Sequence, residues 1–281
     1  MQNYLQKAEI LIEALPYIRK FNSKIILIKY GGSAMENEDI KMSVMQDIAL
    51  FKLVGLKPVI VHGGGKEITA MCEKLNVKNE FKNGLRVSSK ETVEVAEAML
   101  YKINKSLVQN LELQGVKAIG ISGKDGFLLD CVKKDEDLGF VGEIKNVNAK
   151  ILNDLLEKDF LPIIAPIGMD DEANTYNVNA DDVACEIAKA LRAEKLVFLS
   201  DVEGLYEDFS NKNSLISKID IQKAKELCKK TQGGMLVKLQ SCIQACESGV
   251  ERIHIVDGRV KHSLLLEIFT DEGIGTVITR K

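Results

Sequence analysis

Residues 25–32 read IILIKYGG, four aliphatic residues, a lysine, a tyrosine and two glycines. A continuous Ile/Leu run bounded by glycine reads as a strand buried on both faces, which a parallel sheet covered by helices requires. Lys29 then stands at the carboxyl end of that strand, where open α/β sheets place their ligands. The alternative at this point is a lysine that reaches water from a strand end.

Runs of the same kind recur along the chain: KPVIVHGGG, KAIGISGKDG, FLPIIAPIG, EKLVFLSDVEG, RIHIVDG and GTVIT. Between them lie helical patterns at roughly 38–54, 66–75, 89–114, 149–157, 180–192 and 235–248. Strand and helix in alternation predict right-handed βαβ units, an α/β fold with a mostly parallel sheet. Two stretches leave this rhythm. NEFKNGLRVS (79–88) carries an Asn-Gly turn, and residues 127–147 read as a hairpin, so both are expected to be flaps over a ligand.

At 281 residues and 46 % hydrophobic, the chain can bury one large α/β core or two modest ones. A net charge of −3 supplies no basic field, which argues against nucleic acid as a partner. No apolar run approaches the roughly 20 residues of a membrane span, and the amino terminus lacks a signal-like apolar region, so the expected location is cytoplasmic. None of the six cysteines forms a CxxC pair, and reduced thiols are expected rather than disulfides or a zinc site.

In VIVHGGGK the glycines at 63–65 make a strand-to-helix turn whose amides can close on an anion. Familiar glycine motifs do not fit. Position 68 is Ile68, where a dinucleotide fingerprint needs glycine, and GKE is not the GK[ST] of a P-loop. An HGGG oxyanion loop would need a GxSxG elbow, which GISGK at 120–124 does not provide. Other polar positions that could join Lys29, Gly31 and Gly32 are Arg86 in NGLR, Asn177, Asn179 and Asp181 in YNVNADD, and Lys238 in GGMLVK. Each has a plain structural reading too: Asn179 as a helix N-cap and Lys238 as a solvated lysine on an amphipathic helix.

The ordered set KYGG, VHGGGK, KNGLRVS, NVNADD, LSDVEGLY and GGMLVK resembles the amino acid kinase family, and within it the branch that phosphorylates N-acetyl-L-glutamate for arginine synthesis. The resemblance runs from about residue 24 to the end of the chain. It implies an open αβα sandwich in two lobes, at 25–193 for the acyl amino acid and dimerisation and at 194–281 for ATP, preceded by a helical segment at 1–24. The implied reaction moves the γ-phosphoryl group of ATP, carried with Mg²⁺, to the γ-carboxylate. A carboxylate is already ionised at neutral pH and needs no general base, so lysines, amides and the metal that neutralise moving charge are what the chemistry calls for.

By resemblance, Lys29 stabilises the transferring group from the acceptor side, Lys238 does so from the nucleotide side, and Asp181 holds both. Gly31, Gly32, Gly64 and Gly65 would bind phosphoryl oxygens and substrate. Arg86, whose fork suits a carboxylate, would hold the substrate with Asn177 and Asn179. The nucleotide would lie along Ser200, Asp201, Val202, Gly204 and Tyr206.

Tyr4, Ala8, Leu11, Leu15 and Ile18 fall at alternating spacings of four and three, a heptad-like stripe on an amino-terminal helix. The stripe packs either on its own domain or on a partner helix. Arginine-inhibited members of the family carry such an extension, interlaced between dimers to make a hexamer. In those members the segment resembling HSLLLEIFTDEGIGT binds L-arginine, which implies an allosteric site at Tyr17, His254, Glu267 and Gly273, with Lys195 close by. The remaining alternatives are a sister kinase acting on glutamate, aspartate, carbamate or UMP, and a non-catalytic arginine sensor of the same fold.

Overall fold

The computed structural model describes residues 2–35, 37–208, 211–231, 233–270 and 273–280. Positions 271 and 272 of the carboxyl-terminal motif therefore lie outside the described residues. In chain order the elements begin α1 (Gln2–Phe21), β1 (Ile25–Tyr30), α2 (Glu38–Leu53), β2 (Lys57–His62), α3 (Gly65–Lys74), β3 (Glu80–Lys82), β4 (Leu85–Val87), α4 (Lys90–Glu112) and β5 (Ala118–Ser122). They continue with β6 (Leu129–Lys133), β7 (Val141–Val147), α5 (Ala149–Glu157), β8 (Leu161–Ala165), β9 (Ile167–Met169), β10 (Thr175–Val178) and α6 (Ala180–Ala190). The last are β11 (Lys195–Ser200), β12 (Leu205–Tyr206), β13 (Leu215–Ile216), β14 (Lys218–Asp220), α7 (Ile221–Cys228), α8 (Gly233–Glu247), β15 (Arg252–Asp257), α9 (Ser263–Ile268) and β16 (Thr276–Thr279).

Eight strands form one sheet in the order β14-β16-β15-β11-β1-β2-β8-β5. Every pairing is parallel except β15 with β16. The seven apolar runs of the sequence supply seven of these strands, and β14 was not foreseen.

Side chains alternate across the sheet, and the two sets enter different cores. Ile26, Ile28 and Tyr30 pack with α2, α4 and α9, along with Phe21 of α1. Leu27 of the same strand packs with Phe198 and with α6, α7 and α8. Lys29, two residues beyond Leu27, therefore belongs to the α6–α8 side. That alternation brings Lys29 to the face where Asp181 of α6 and Lys238 of α8 lie.

Both flaps form. β3 and β4 are an antiparallel hairpin turning through Asn83 and Gly84, both at positive φ, as a two-residue primed turn requires. The 127–147 hairpin is β6 and β7, and it joins β9 and β10 in a small closed barrel. Helices α7 and α9 were not anticipated. α7 is capped by Asp220, whose carboxylate accepts from the Lys223 amide at 2.9 Å. α9 has six residues and no side-chain cap of its own, so little in its sequence marks it as a helix.

The segment at 1–24 does not stand apart from the rest of the chain. Phe21 is fully buried in the α2 core and Tyr17 packs against it. Tyr4, Ala8, Leu11 and Leu15 of the stripe are exposed, whereas Ile18 is half-buried. α1 also contains Pro16, which cannot donate the backbone hydrogen bond that Ile12 would otherwise receive.

Candidate active site and a second pocket

A cleft of about 590 Å³ opens at the carboxyl ends of β1 and β2. Lys29, Gly32, the glycines at 63–65, Arg86, Asn177, Asn179 and Asp181 line it together. Asp181 is the centre of charge. The Lys29 ammonium pairs with its Oδ1 at 2.9 Å and the Lys238 ammonium with its Oδ2 at 3.0 Å. Burial alone would raise the Asp181 pKa, but the two lysines outweigh it and hold the carboxyl far below the usual range. Lys238 is kept charged in the same way: burial pulls its pKa down, and Asp181 raises it by more. Its ammonium also stands 5.2 Å from the centre of the Phe198 ring, a cation–π contact. Neither lysine is a solvated side chain.

Asn179 is the N-cap of α6, its Oδ1 accepting from the amides of Asp181 at 2.8 Å and Asp182 at 3.1 Å. It also lines the cleft, so the structural and functional readings coincide. The cap fixes the first turn of α6 and with it the carboxylate that holds the lysines.

The glycines serve close approach. A Cβ on Gly64 would meet Ile103 Cδ1 at 2.6 Å and Leu100 Cδ2 at 3.0 Å, and one on Gly31 would meet the Lys29 ammonium at 3.2 Å. Gly32 has φ +64°, a conformation that favours glycine. Gly64 is the N-cap of α3, so the start of that helix points its orphan amides at the cleft.

Arg86 is held on several sides. Its guanidinium donates to Gly65 O at 2.8 Å, to Thr69 Oγ1 at 2.9 Å and to Asn79 Oδ1, and it lies 4.6 Å from the centre of the Phe81 ring. Asn177 donates to Ser88 Oγ at 3.2 Å, and Ser88 donates to Arg86 O at 2.9 Å, so one hydroxyl ties both residues together. Ser88 also anchors the second flap, accepting from the Phe140 amide at 2.7 Å. The sequence reading missed Thr69, Asn79 and Ser88; a serine after a predicted hairpin carries no mark of such a role.

Ser200 is buried and Asp201 exposed at the carboxyl end of β11, with Val202 packed on the adjoining core. Tyr206 donates its hydroxyl to Glu203. Gly204 does not turn the chain through a left-handed conformation; a Cβ there would meet Thr276 Oγ1 at 2.4 Å, which is why glycine stands at this position. None of these five residues lines the 590 Å³ cleft, which ends at the Asp181 side.

A second cavity of about 250 Å³ gathers Tyr17, Lys195, His254, Glu267 and Gly273, all five residues singled out for the arginine site. Glu267 is buried. Its Oε1 accepts from His254 Nδ1 at 2.5 Å and its Oε2 from the amides of Ile274 at 2.8 Å and Gly275 at 3.1 Å. Burial works to raise the Glu267 pKa, and these donors outweigh it, leaving a carboxylate. Burial lowers the His254 pKa, and its Nε2 is buried with no hydrogen-bond partner among the described residues. Lys195 is pushed down to about 8 by burial and then by Arg252, with its ammonium over the Phe21 ring at 4.6 Å.

A phosphoryl-transfer site is what two lysines on one carboxylate, beside a glycine turn at the strand ends of an αβα sandwich, define. The sequence profile of the amino acid kinase family matches residues 24–257, and the chain belongs to that family. It is 74 % identical over 278 residues to an acetylglutamate kinase of Campylobacter jejuni, covering 99 % of this chain and 100 % of that one. An acetylglutamate kinase of Thermoanaerobacter pseudethanolicus is 52 % identical over 282 residues, 99 % of this chain and 94 % of that one. Among solved structures, an N-acetylglutamate synthase from Neisseria gonorrhoeae, complexed with coenzyme A and N-acetyl-glutamate, superposes with a TM-score of 0.87 at 24 % identity. It covers 98 % of this chain, which spans 63 % of that synthase chain, and at this identity the likeness is one of fold.

Proposed function

We propose that this chain catalyses the ATP-dependent phosphorylation of the γ-carboxylate of N-acetyl-L-glutamate to the acyl phosphate, the second step of arginine synthesis. The observation that carries the reading is the Lys29–Asp181–Lys238 clamp, two cations fixed on one half-buried carboxylate. A γ-carboxylate oxygen attacks the γ-phosphorus, the new O–P bond forms as the bond to the β-phosphate oxygen breaks, and ADP carries away the electron pair. No proton moves, because the nucleophile is already ionised at neutral pH. Lys29 neutralises the phosphoryl oxygens from the acceptor side and Lys238 the developing charge on the leaving side, with the amides of Gly32, Gly64 and Gly65 adding fixed donors.

The donor set fits a triphosphate, being cationic and amide-rich and lying at a helix start. Mg²⁺ supplies charge neutralisation on the phosphates when bound, and those phosphates provide much of its coordination. Arg86 and Asn177 hold the substrate α-carboxylate, and Asn179 lies beside them. The segment from Ser200 to Tyr206, at the end of β11, takes the nucleotide. The strand order supports a two-lobed reading, since β1, β2, β8 and β5 fall on one side of the β1–β11 junction and β11, β15, β16 and β14 on the other.

L-arginine is the inhibitor of this reading, bound in the second cavity. Glu267 offers a carboxylate to the guanidinium, the bare Nε2 of His254 accepts from a donor-only group, and Lys195 and Arg252 suit the α-carboxylate. α1 contributes Tyr17 to that cavity and exposes its apolar stripe, which supports a helix shared between dimers in a hexamer. No described helix is long and apolar enough to cross a membrane, and we place the enzyme in the cytoplasm. The test is acyl phosphate formation, trapped as the hydroxamate, across N-acetyl-L-glutamate, glutamate, aspartate and carbamate, with and without L-arginine.

A further inference from the structure

His62 closes β2 immediately before the glycine turn and is fully buried. Its Nδ1 lies 2.9 Å from the carbonyl oxygen of Gly63, and its Nε2 lies 3.2 Å from Asn104 Nδ2. A carbonyl only accepts and an amide nitrogen only donates. The ring is therefore the neutral tautomer with hydrogen on Nδ1 and a bare Nε2. Burial lowers the His62 pKa to about 4, which keeps that neutral form across the physiological range.

Asn104, on α4, is itself buried and donates to Ile163 O at 2.9 Å as well as to the imidazole. Its oxygen occupies space that exists because residue 120 is glycine; a Cβ there would stand 1.8 Å from Asn104 Oδ1. Polar groups are costly to bury in a sheet–helix core, and this pair satisfies its own needs only in one orientation.

The consequence falls on the peptide between Gly63 and Gly64. In a trans peptide the carbonyl and the following N–H point in opposite directions. The Gly63 amide is already tied to Tyr30 O at 2.8 Å, and its carbonyl is tied to His62. With both ends of Gly63 fixed, the Gly64 N–H is turned away from His62, towards the cleft that Gly64 lines. Glycine lacks a side chain to hold such an orientation, so something beside the turn must supply it.

We propose that His62, oriented by Asn104, is a positioning residue for phosphoryl transfer: it holds the Gly63 carbonyl so that the glycine-turn amides face the moving phosphoryl group. This rests on the kinase reading above. Donors that act on charge developing in the transition state lower turnover when misaligned, with far less effect on substrate binding.

The test compares H62N, H62L and N104L in the full-length protein. The Asn side-chain nitrogen can stand in for Nδ1 and donate to Gly63 O; leucine cannot. H62L is expected to lose about 30- to 100-fold in kcat with KM for both substrates within about threefold, and H62N to recover most of that loss. N104L, which leaves His62 in place and removes its orienting donor, is expected to lose about tenfold in kcat. Nitrogen-15 NMR of the imidazoles, three histidines in all, should show His62 as the neutral Nδ1–H tautomer from pH 5.5 to 8. Equal activity in H62L and H62N, or an Nε2–H or protonated His62 at pH 6.5, overturns the inference. A wild type that forms no hydroxamate refutes the kinase reading instead, and the tautomer measurement then decides by itself how the turn is held.

Discussion

The Lys238 ammonium lies 3.0 Å from Oδ2 of Asp181, although 57 residues separate them in the chain. Asp181 comes from the first turn of α6 and Lys238 from the second turn of α8, helices whose apolar faces pack on the same side of the sheet as Lys29. Removing the carboxylate leaves two half-buried ammonium groups that repel each other and lose their direction.

D181N is expected to lower kcat by on the order of 10² or more, with KM for ATP and for the acyl amino acid changed much less. Steady-state kinetics on both substrates check this. A large rise in either KM with kcat intact would move Asp181 from the clamp to ground-state binding.

R86K should act differently. Lysine keeps the charge but cannot reach Gly65 O, Thr69 and the Asn79 side chain at once, nor stack flat on Phe81. The expected result is a fall of about 10² in kcat/KM for N-acetyl-L-glutamate, carried by KM, with KM for ATP unchanged. Kinetics at saturating ATP separate the two.

The amino-terminal helix has an exposed part and a part packed on the core, and deletions should separate what each does. Removing residues 1–14 keeps Tyr17 and Phe21, and is expected to reduce the oligomer seen by light scattering while leaving kcat within about twofold. E267Q should weaken arginine inhibition by about tenfold or more without altering the oligomer. A deletion through residue 24 tests neither, because it strips Phe21 from the core.

Asp47, fully buried on α2, pairs with His262 Nδ1 at 2.6 Å, and burial raises its pKa to about 6 in spite of that partner. The folded state thus holds a proton that the unfolded chain releases near pH 4, so this residue's contribution favours folding at low pH and is lost as pH rises through about 6. Relative to D47N, the wild type should lose up to about 3 kcal/mol of stability between pH 4 and pH 7. Urea unfolding of both proteins across that range checks it, and a pH-independent difference contradicts it.

Much of the site was legible because phosphoryl transfer needs residue types that leave marks: a lysine ending an apolar strand, three glycines before a helix, an Asn-Gly turn with an arginine. The side of the sheet on which Lys29 lies was set by simple alternation from Leu27, and the Asn179 cap follows from the NADD start of α6. Other contacts were illegible for a physical reason. Ser88, Thr69, Asn79 and Asn104 matter through partners 7 to 89 residues away, and nothing local distinguishes them from any polar residue on a helix or hairpin. α9 escaped because its start is held by another helix, the His262 amide donating to Ser43 of α2 at 2.8 Å. The packing of Gly204 against Thr276 was illegible too, because a glycine that serves packing looks the same in sequence as one that serves a turn.

The most direct test of the central claim is hydroxamate formation from N-acetyl-L-glutamate and Mg-ATP by the wild type and D181N side by side. The clamp predicts steady turnover by the wild type and a loss of about 10² or more in the variant, with both substrates still bound. Turnover by D181N equal to that of the wild type would contradict it.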